Sequence, residues 1–112
     1  MALLQSRGKL TFLRVHDLGT GWGPPADQID VEVVLKLDTV PERAMGFQMR
    51  ENRYLPARKG MLDLLRDAFH NESTVIVDYE LDEGRNNGLA IRIALQKEVS
   101  AVLPTRPVGI DI

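Results

Sequence analysis

The chain contains no cysteine. That excludes disulfide frameworks, thiolate zinc sites and cysteine nucleophiles, and it fits a reducing compartment. Aromatic residues are scarce: one tryptophan, two tyrosines and three phenylalanines. There is no excess of positive charge, since 16 acids face 14 bases for a net charge of −2. Proteins that grip nucleic acid through its phosphates are usually basic, so a dedicated nucleic-acid binder is disfavoured. No apolar run approaches the length of a membrane span. The segment Met1-Ala2-Leu3-Leu4-Gln5-Ser6-Arg7 lacks the apolar centre of a signal peptide. A cytoplasmic protein with no membrane association is the expectation.

What is present is an ordinary globular composition, 44% hydrophobic and 27% charged over 112 residues. That length suits a single domain spanning residues 1–112. A chain of this size buries about two-thirds of its surface, which only just offsets the entropy of ordering it. Subunit association would help.

Hydrophobic periodicity divides the chain. Within Lys9–Leu18, Leu10 and Phe12 alternate in one phase and Leu13 and Val15 in the other, as a β-bulge produces. Gly19-Thr20-Gly21-Trp22-Gly23-Pro24-Pro25 interrupts any regular element. Gln28–Leu37 alternates cleanly, with Ile29, Val31, Val33, Leu35 and Leu37 on one face and Val34 as an apolar exception on the other. Met45, Phe47 and Met49 mark a third strand. From Lys59 the period changes to that of a helix, Lys59–Asn71, whose stripe is Met61, Leu62, Leu64, Leu65, Ala68 and Phe69. Pro56 closes the connection before it. Thr74–Leu81 and Leu89–Leu95 are strands joined by Asp82–Gly88, a strong turn signal. Val99–Ile112, broken by Pro104 and Pro107, is either a draped arm or a disordered end, so the core is expected over about residues 9–97.

The expected fold is mainly β with one helix, in the order β-β-β-α-β-β. It resembles the OB-fold, a small five-stranded Greek-key barrel, in element order, bulged first strand and helix position. A ferredoxin-like domain needs a helix after its first strand, which the Gly-Pro-Pro loop cannot supply. The resemblance implies that the loop after the first strand and the loop between the last two flank a binding face. Trp22 would then neighbour Arg85, Asn86 and Asn87, a set suited to a small polar ligand, a glycan or an oligonucleotide. Against this stand two plainer readings. Trp22 fits a ring that caps its own barrel or a subunit contact, and Asn86-Asn87-Gly88 fits a turn because Asn and Gly tolerate positive φ.

Other motifs carry less. The glycines around Trp22 lack the Gly-Lys-Ser/Thr and the helix of a phosphate loop. Asp82-Glu83-Gly84-Arg85-Asn86 lacks the third-position acid and closing glutamate of a calcium loop. His16 and His70 have no second ligand at metal spacing. Arg50, Arg53, Arg58 and Lys59, with Tyr54, form a basic segment suited to phosphate or an acidic partner, or to a solvated connection. No nucleophile–base pair, metal cluster or cofactor fingerprint is evident. The sequence therefore points to a non-enzymatic binding or assembly module without cofactor or metal. Self-association into a homo-oligomer is expected from Val34, Ala90 and Ala94 at outward positions and from the apolar C-terminal segment. Ring-forming OB-folds share this element order, which is an analogy of fold. The alternative is an OB-type binder of single-stranded nucleic acid or oligosaccharide.

Overall fold

The computed structural model describes residues 1–97. The C-terminal segment 98–112, on which an arm or a disordered end was expected, lies outside the described residues.

Five strands form one sheet: β1 (Ala2–Val15), β2 (Val33–Leu37), β3 (Met45–Phe47), β4 (Thr74–Leu81) and β5 (Gly88–Gln96). A single helix, α1 (Leu55–Asn71), stands between β3 and β4, and one 3-10 turn covers Pro25–Asp27. The hydrogen-bonded order is β1-β2-β3-β5-β4, returning to β1. Every strand thus has two neighbours. All pairings are antiparallel except β3 with β5, where Met45 faces Gly88 and Gly46 faces Leu89.

The strand β1 joins both halves of the sheet. Its first part pairs with β4, from Ala2 opposite Leu81 to Lys9 opposite Thr74. Its second part pairs with β2, and the register slips between Leu10 and Phe12. The change of phase read from the sequence is this irregularity. The strand nevertheless begins at Ala2, well before the expected Lys9. Residues 5–8 are Gln-Ser-Arg-Gly, too polar to show an alternating pattern. Long-range partners hold them instead: Ser6 Oγ lies 2.9 Å from the Tyr79 hydroxyl, and Gln5 Nε2 donates to Asp78 Oδ1 at 2.8 Å.

The main core combines Val33, Leu35 and Leu37 of β2 with Met45 and Phe47 of β3, Val75, Val77 and Tyr79 of β4, and Leu65 and Ala68 of α1. The helix starts at Leu55 rather than at Lys59, with Pro56 in its first turn. Proline is tolerated there because that N–H has no helical partner to lose. The helix ends at Asn71, as its pattern indicates. Glu72 follows in the left-handed conformation (φ 55°), its N–H bonded to the Ala68 carbonyl. Leu65 and Ala68 are fully buried, and Met61 and Leu62 pack at the margin. Phe69, expected to plug the core, is 49% exposed. It lies in the last turn of the helix, beyond the buried Leu65 and Ala68.

Two further expectations are corrected. The alternation from Ile29 to Leu37 does not belong to one strand. Ile29 and Val31 precede β2 and cover its outer side, packing with Val34 and Ala44 in a second cluster flanked by Phe12 and Trp22. A two-residue period shows which residues share a face, not where the backbone folds over. Val34 is consequently buried at 0% exposure and offers nothing to a subunit partner. In β5, Ile91 is left unpaired by a register shift: Asp78 faces Arg92 while Tyr79 faces Ala90. The bulge turns Ala90 inward to 4% exposure and leaves Leu89 and Ile91 at 43% and 40%. Of the three outward apolar residues expected, only Ala94 is exposed.

The turn from Asp30 to Glu32 is fixed by Arg50. Its guanidinium donates to Glu32 Oε2 at 2.8 Å and to Asp30 Oδ1 at 2.6 Å, and the Met49 N–H donates to Glu32 Oε1 at 2.9 Å. Glu32 is almost fully buried. The Arg50 hydrogen bond, with help from the Met49 N–H, holds its carboxyl below the ordinary value of 4.5 against the opposing effect of burial. A lowered folded-state pKa means that the stabilisation is complete at neutral pH and is lost as pH falls below that ordinary value. Glu32→Gln should cost about 1–3 kcal/mol at pH 7, toward the low end because Arg50 is partly exposed. Urea unfolding at pH 7 and pH 3 checks this: the gap between wild type and variant should shrink at the lower pH, and a constant gap would contradict it.

Candidate functional site

Trp22 lies in the β1–β2 connection, which is drawn back on itself. Trp22 N–H donates to the Ile29 carbonyl at 2.9 Å, and Ile29 N–H donates to the Trp22 carbonyl at 2.8 Å. The two residues form an isolated antiparallel bridge closed by the 3-10 turn. Gly23 permits the return: its φ is +103°, and a Cβ there would stand 2.7 Å from the Asp27 carbonyl oxygen. The flap so made lies across the outer side of β1 and β2. The Trp22 ring packs on Phe12 with centroids 5.3 Å apart and a tilt of 47°. Two cations attend it: Lys36 Nζ is 5.5 Å and Arg14 Cζ 5.7 Å from the indole centroid. Such contacts are worth about 0.5–1 kcal/mol each at exposed sites.

The β4–β5 turn is fastened to this flap by Asp27. Its Oδ1 accepts the backbone N–H groups of Asn86 and Asn87, both at 3.0 Å. Asn87 is buried at 7% exposure; its Nδ2 donates to the Asp27 carbonyl and its Oδ1 accepts the Ala44 N–H, both at 3.0 Å. Asn86 Nδ2 donates to the Glu42 carbonyl at 2.7 Å, and Arg43 Nε donates to the Asn86 carbonyl at 2.9 Å. Arg43 also reaches the buried Tyr79 hydroxyl at 2.9 Å. Three connections thus meet at one end of the sheet: β1–β2, β2–β3 and β4–β5.

Between them is an open groove of about 410 Å³, lined by Trp22, Lys36, Asp27, Glu42, Asn86 and Asn87 among others. Trp22, Asn86 and Asn87 therefore come together. Arg85 does not line this groove: its Nη1 donates to the Gln28 carbonyl at 2.7 Å, and it lines a neighbouring cleft of about 210 Å³ with Asp30, Glu80 and Asp82, which shares only Asn87 with the groove. Positive φ does not explain the asparagines, because that turn places it at Gly84, φ +79°, and Glu72 alone among described non-glycine residues adopts it. Asn87 acts as a clamp with its hydrogen bonds made within the protein, and the Asn86 amide is engaged by the Glu42 carbonyl and Arg43, so Trp22, Lys36 and the Glu42 carboxylate remain to meet a ligand.

Lys36, Asp27 and Glu42 were not singled out from the sequence. Lys36 occupies an outward position on β2, a detectable signal, whereas Asp27 and Glu42 enter through contacts remote in sequence. His16 Nε2 donates to the Val31 carbonyl at 2.7 Å and supports the flap. Among the described residues, no group of three or more His, Asp or Glu side chains could hold a metal ion, and no helix is long and apolar enough to cross a membrane. Comparisons with protein-family models, curated proteins and solved structures find no match to this chain.

Proposed function

We propose that the chain is a non-enzymatic binding module of the OB type, whose groove beside Trp22 takes a small neutral, hydroxyl-rich ligand of the glycan class. The cyclic strand order, the strand shared between both halves and the helix between β3 and β4 support the OB-type reading. The observation that carries the ligand class is the mixed polarity around one indole. Lys36 supplies donors and Glu42 acceptors within a single groove. Sugar hydroxyls use donors and acceptors alike, and an aromatic ring offers contact area at low entropy cost. A polyphosphate would meet Glu42 and Asp27 as like charges. Of the two carboxylates in the groove, Asp27 is occupied by the Asn86 and Asn87 N–H groups, which leaves Glu42 without a free carboxylate partner and favours binding over acid–base chemistry. Assembly as the primary role is less favoured, because Val34 and Ala90 are covered.

A second reading, a single-stranded oligonucleotide, draws on Arg14 and Lys36 beside Phe12 and Trp22. Cations interleaved with rings are what such ligands use.

A glycan and oligonucleotide screen with two variants tests both. Trp22→Ala should abolish ligand affinity and, because the ring packs on Phe12, also lower stability by about 1–3 kcal/mol, below the cost for a fully buried aromatic. Lys36→Gln should weaken binding while lowering stability by no more than about 1–2 kcal/mol, the worth of its contacts with Phe12 and Trp22. Steep salt dependence with an oligonucleotide selects the second reading. No ligand in either class, or affinity indifferent to both variants, makes Trp22 structural and removes the site.

A further inference from the structure

The segment leading into α1 gathers positive charge relieved only by Glu51. Arg53, Arg58 and Lys59 have no ion pair among the described residues, and the first turn of the helix carries no acid. Arg50, the remaining cation of the segment, is committed to Glu32 and Asp30. Tyr54 brings two of the free charges together. The guanidinium carbons of Arg53 and Arg58 each stand 4.9 Å from its ring centroid. They are therefore no more than twice 4.9 Å apart, about one Debye length at 0.1 M salt. Arg53 Nη2 also donates to the Tyr54 hydroxyl at 2.8 Å. Arg58 Nη1 is buried without an acceptor among the described residues, so that part of its charge is uncompensated.

This arrangement is costly as it stands. Two like charges are held near each other, two long side chains lose rotamer freedom, and the cations oppose the helix dipole. An anion would offset all three costs. Stacking occupies guanidinium faces and leaves in-plane N–H groups for an anion, apart from the buried Arg58 Nη1 and the Arg53 Nη2 held by the Tyr54 hydroxyl. One fork satisfies the two oxygens of a carboxylate, whereas two forks suit the three oxygens and double charge of a phosphate monoester. A long polyanion is disfavoured by the net charge of −2.

We infer that Arg53 and Arg58, held on Tyr54 with Lys59 beside them, form a binding site for a phosphomonoester group. This site involves none of the groove residues, so it stands or falls independently of the glycan reading. The test is a titration of the full chain with inorganic phosphate, phenyl phosphate and acetate at constant ionic strength, following the Arg Nε–H signals by NMR. Both phosphates should shift Arg53 and Arg58 saturably, and acetate should not. Arg53→Gln and Arg58→Gln should each weaken binding by about tenfold or more. Tyr54→Ala should weaken it too, while Tyr54→Phe, which keeps the ring, should bind within about twofold of wild type. Tighter binding of phenyl phosphate points to an organic ester and equal binding to free phosphate; either supports the site. Unsaturable shifts, equal shifts with acetate, or affinity unchanged in both arginine variants would overturn it.

Discussion

Leu65→Ala should destabilise the protein by about 2–5 kcal/mol, because it removes buried methyl groups and leaves a cavity that a packed interior closes only in part. Leu65 is fully buried at the centre of the helix stripe, within the core cluster that also holds Val75, Val77 and Phe47. It is the point at which α1 enters the space enclosed by the strands. Phe69→Ala is the internal control. Although phenylalanine is larger, this ring is 49% exposed, and its loss should cost less than about 1.5 kcal/mol. Urea unfolding of both variants measures the difference. If Phe69→Ala proved the more damaging, the helix would be rotated from the orientation described here.

Asn87→Ala should have the next largest effect and should reach the groove. The buried side chain serves the Ala44 N–H and the Asp27 carbonyl at once. Truncation leaves the Ala44 N–H without its acceptor, at a cost of about 1–3 kcal/mol for that group alone. It also loosens the turn that carries Asn86 from the flap that carries Trp22, so ligand affinity should fall together with stability. Asn87→Asp separates the two contacts. It keeps an acceptor for Ala44 but sets a carboxylate against the Asp27 carbonyl, so it should also be destabilising at neutral pH. Thermal denaturation and hydrogen exchange at the Ala44 amide report the result. Unchanged exchange in Asn87→Ala would mean that the clamp carries no load.

The order of elements, the centre of the helix at Leu65 and Ala68, and the irregularity in β1 are all legible in the sequence, because each follows from local periodicity. So is the proximity of Trp22 to Asn86 and Asn87, through the loop arrangement that the OB-fold resemblance implies. What escapes local reading depends on contacts far apart along the chain. Residues 2–8 become a strand only because β4 offers them a partner. Ile29 and Val31 continue the β2 alternation perfectly, yet the backbone turns there because Glu32 is claimed by Arg50 and the Met49 N–H. The bulge at Ile91 reverses which residues of β5 face the core, and nothing in Leu89–Leu95 marks its position. Within the site, the Asp27 clamp spans 60 residues to Asn87, a pairing that no short motif encodes. These reversals enclose Val34 and Ala90, which local alternation places outward.

The binding account rests on Trp22, and Trp22 is the only tryptophan in the chain. Its fluorescence therefore reports on the groove with no background from other indoles. Titration of the full chain with a panel of neutral oligosaccharides, followed by tryptophan emission, is the most direct test. The account predicts a saturable change in intensity or wavelength for at least one glycan, shifted to higher concentration in Lys36→Gln and preserved in Arg53→Gln. Emission that stays constant across the panel, or that changes equally in Lys36→Gln, would contradict it.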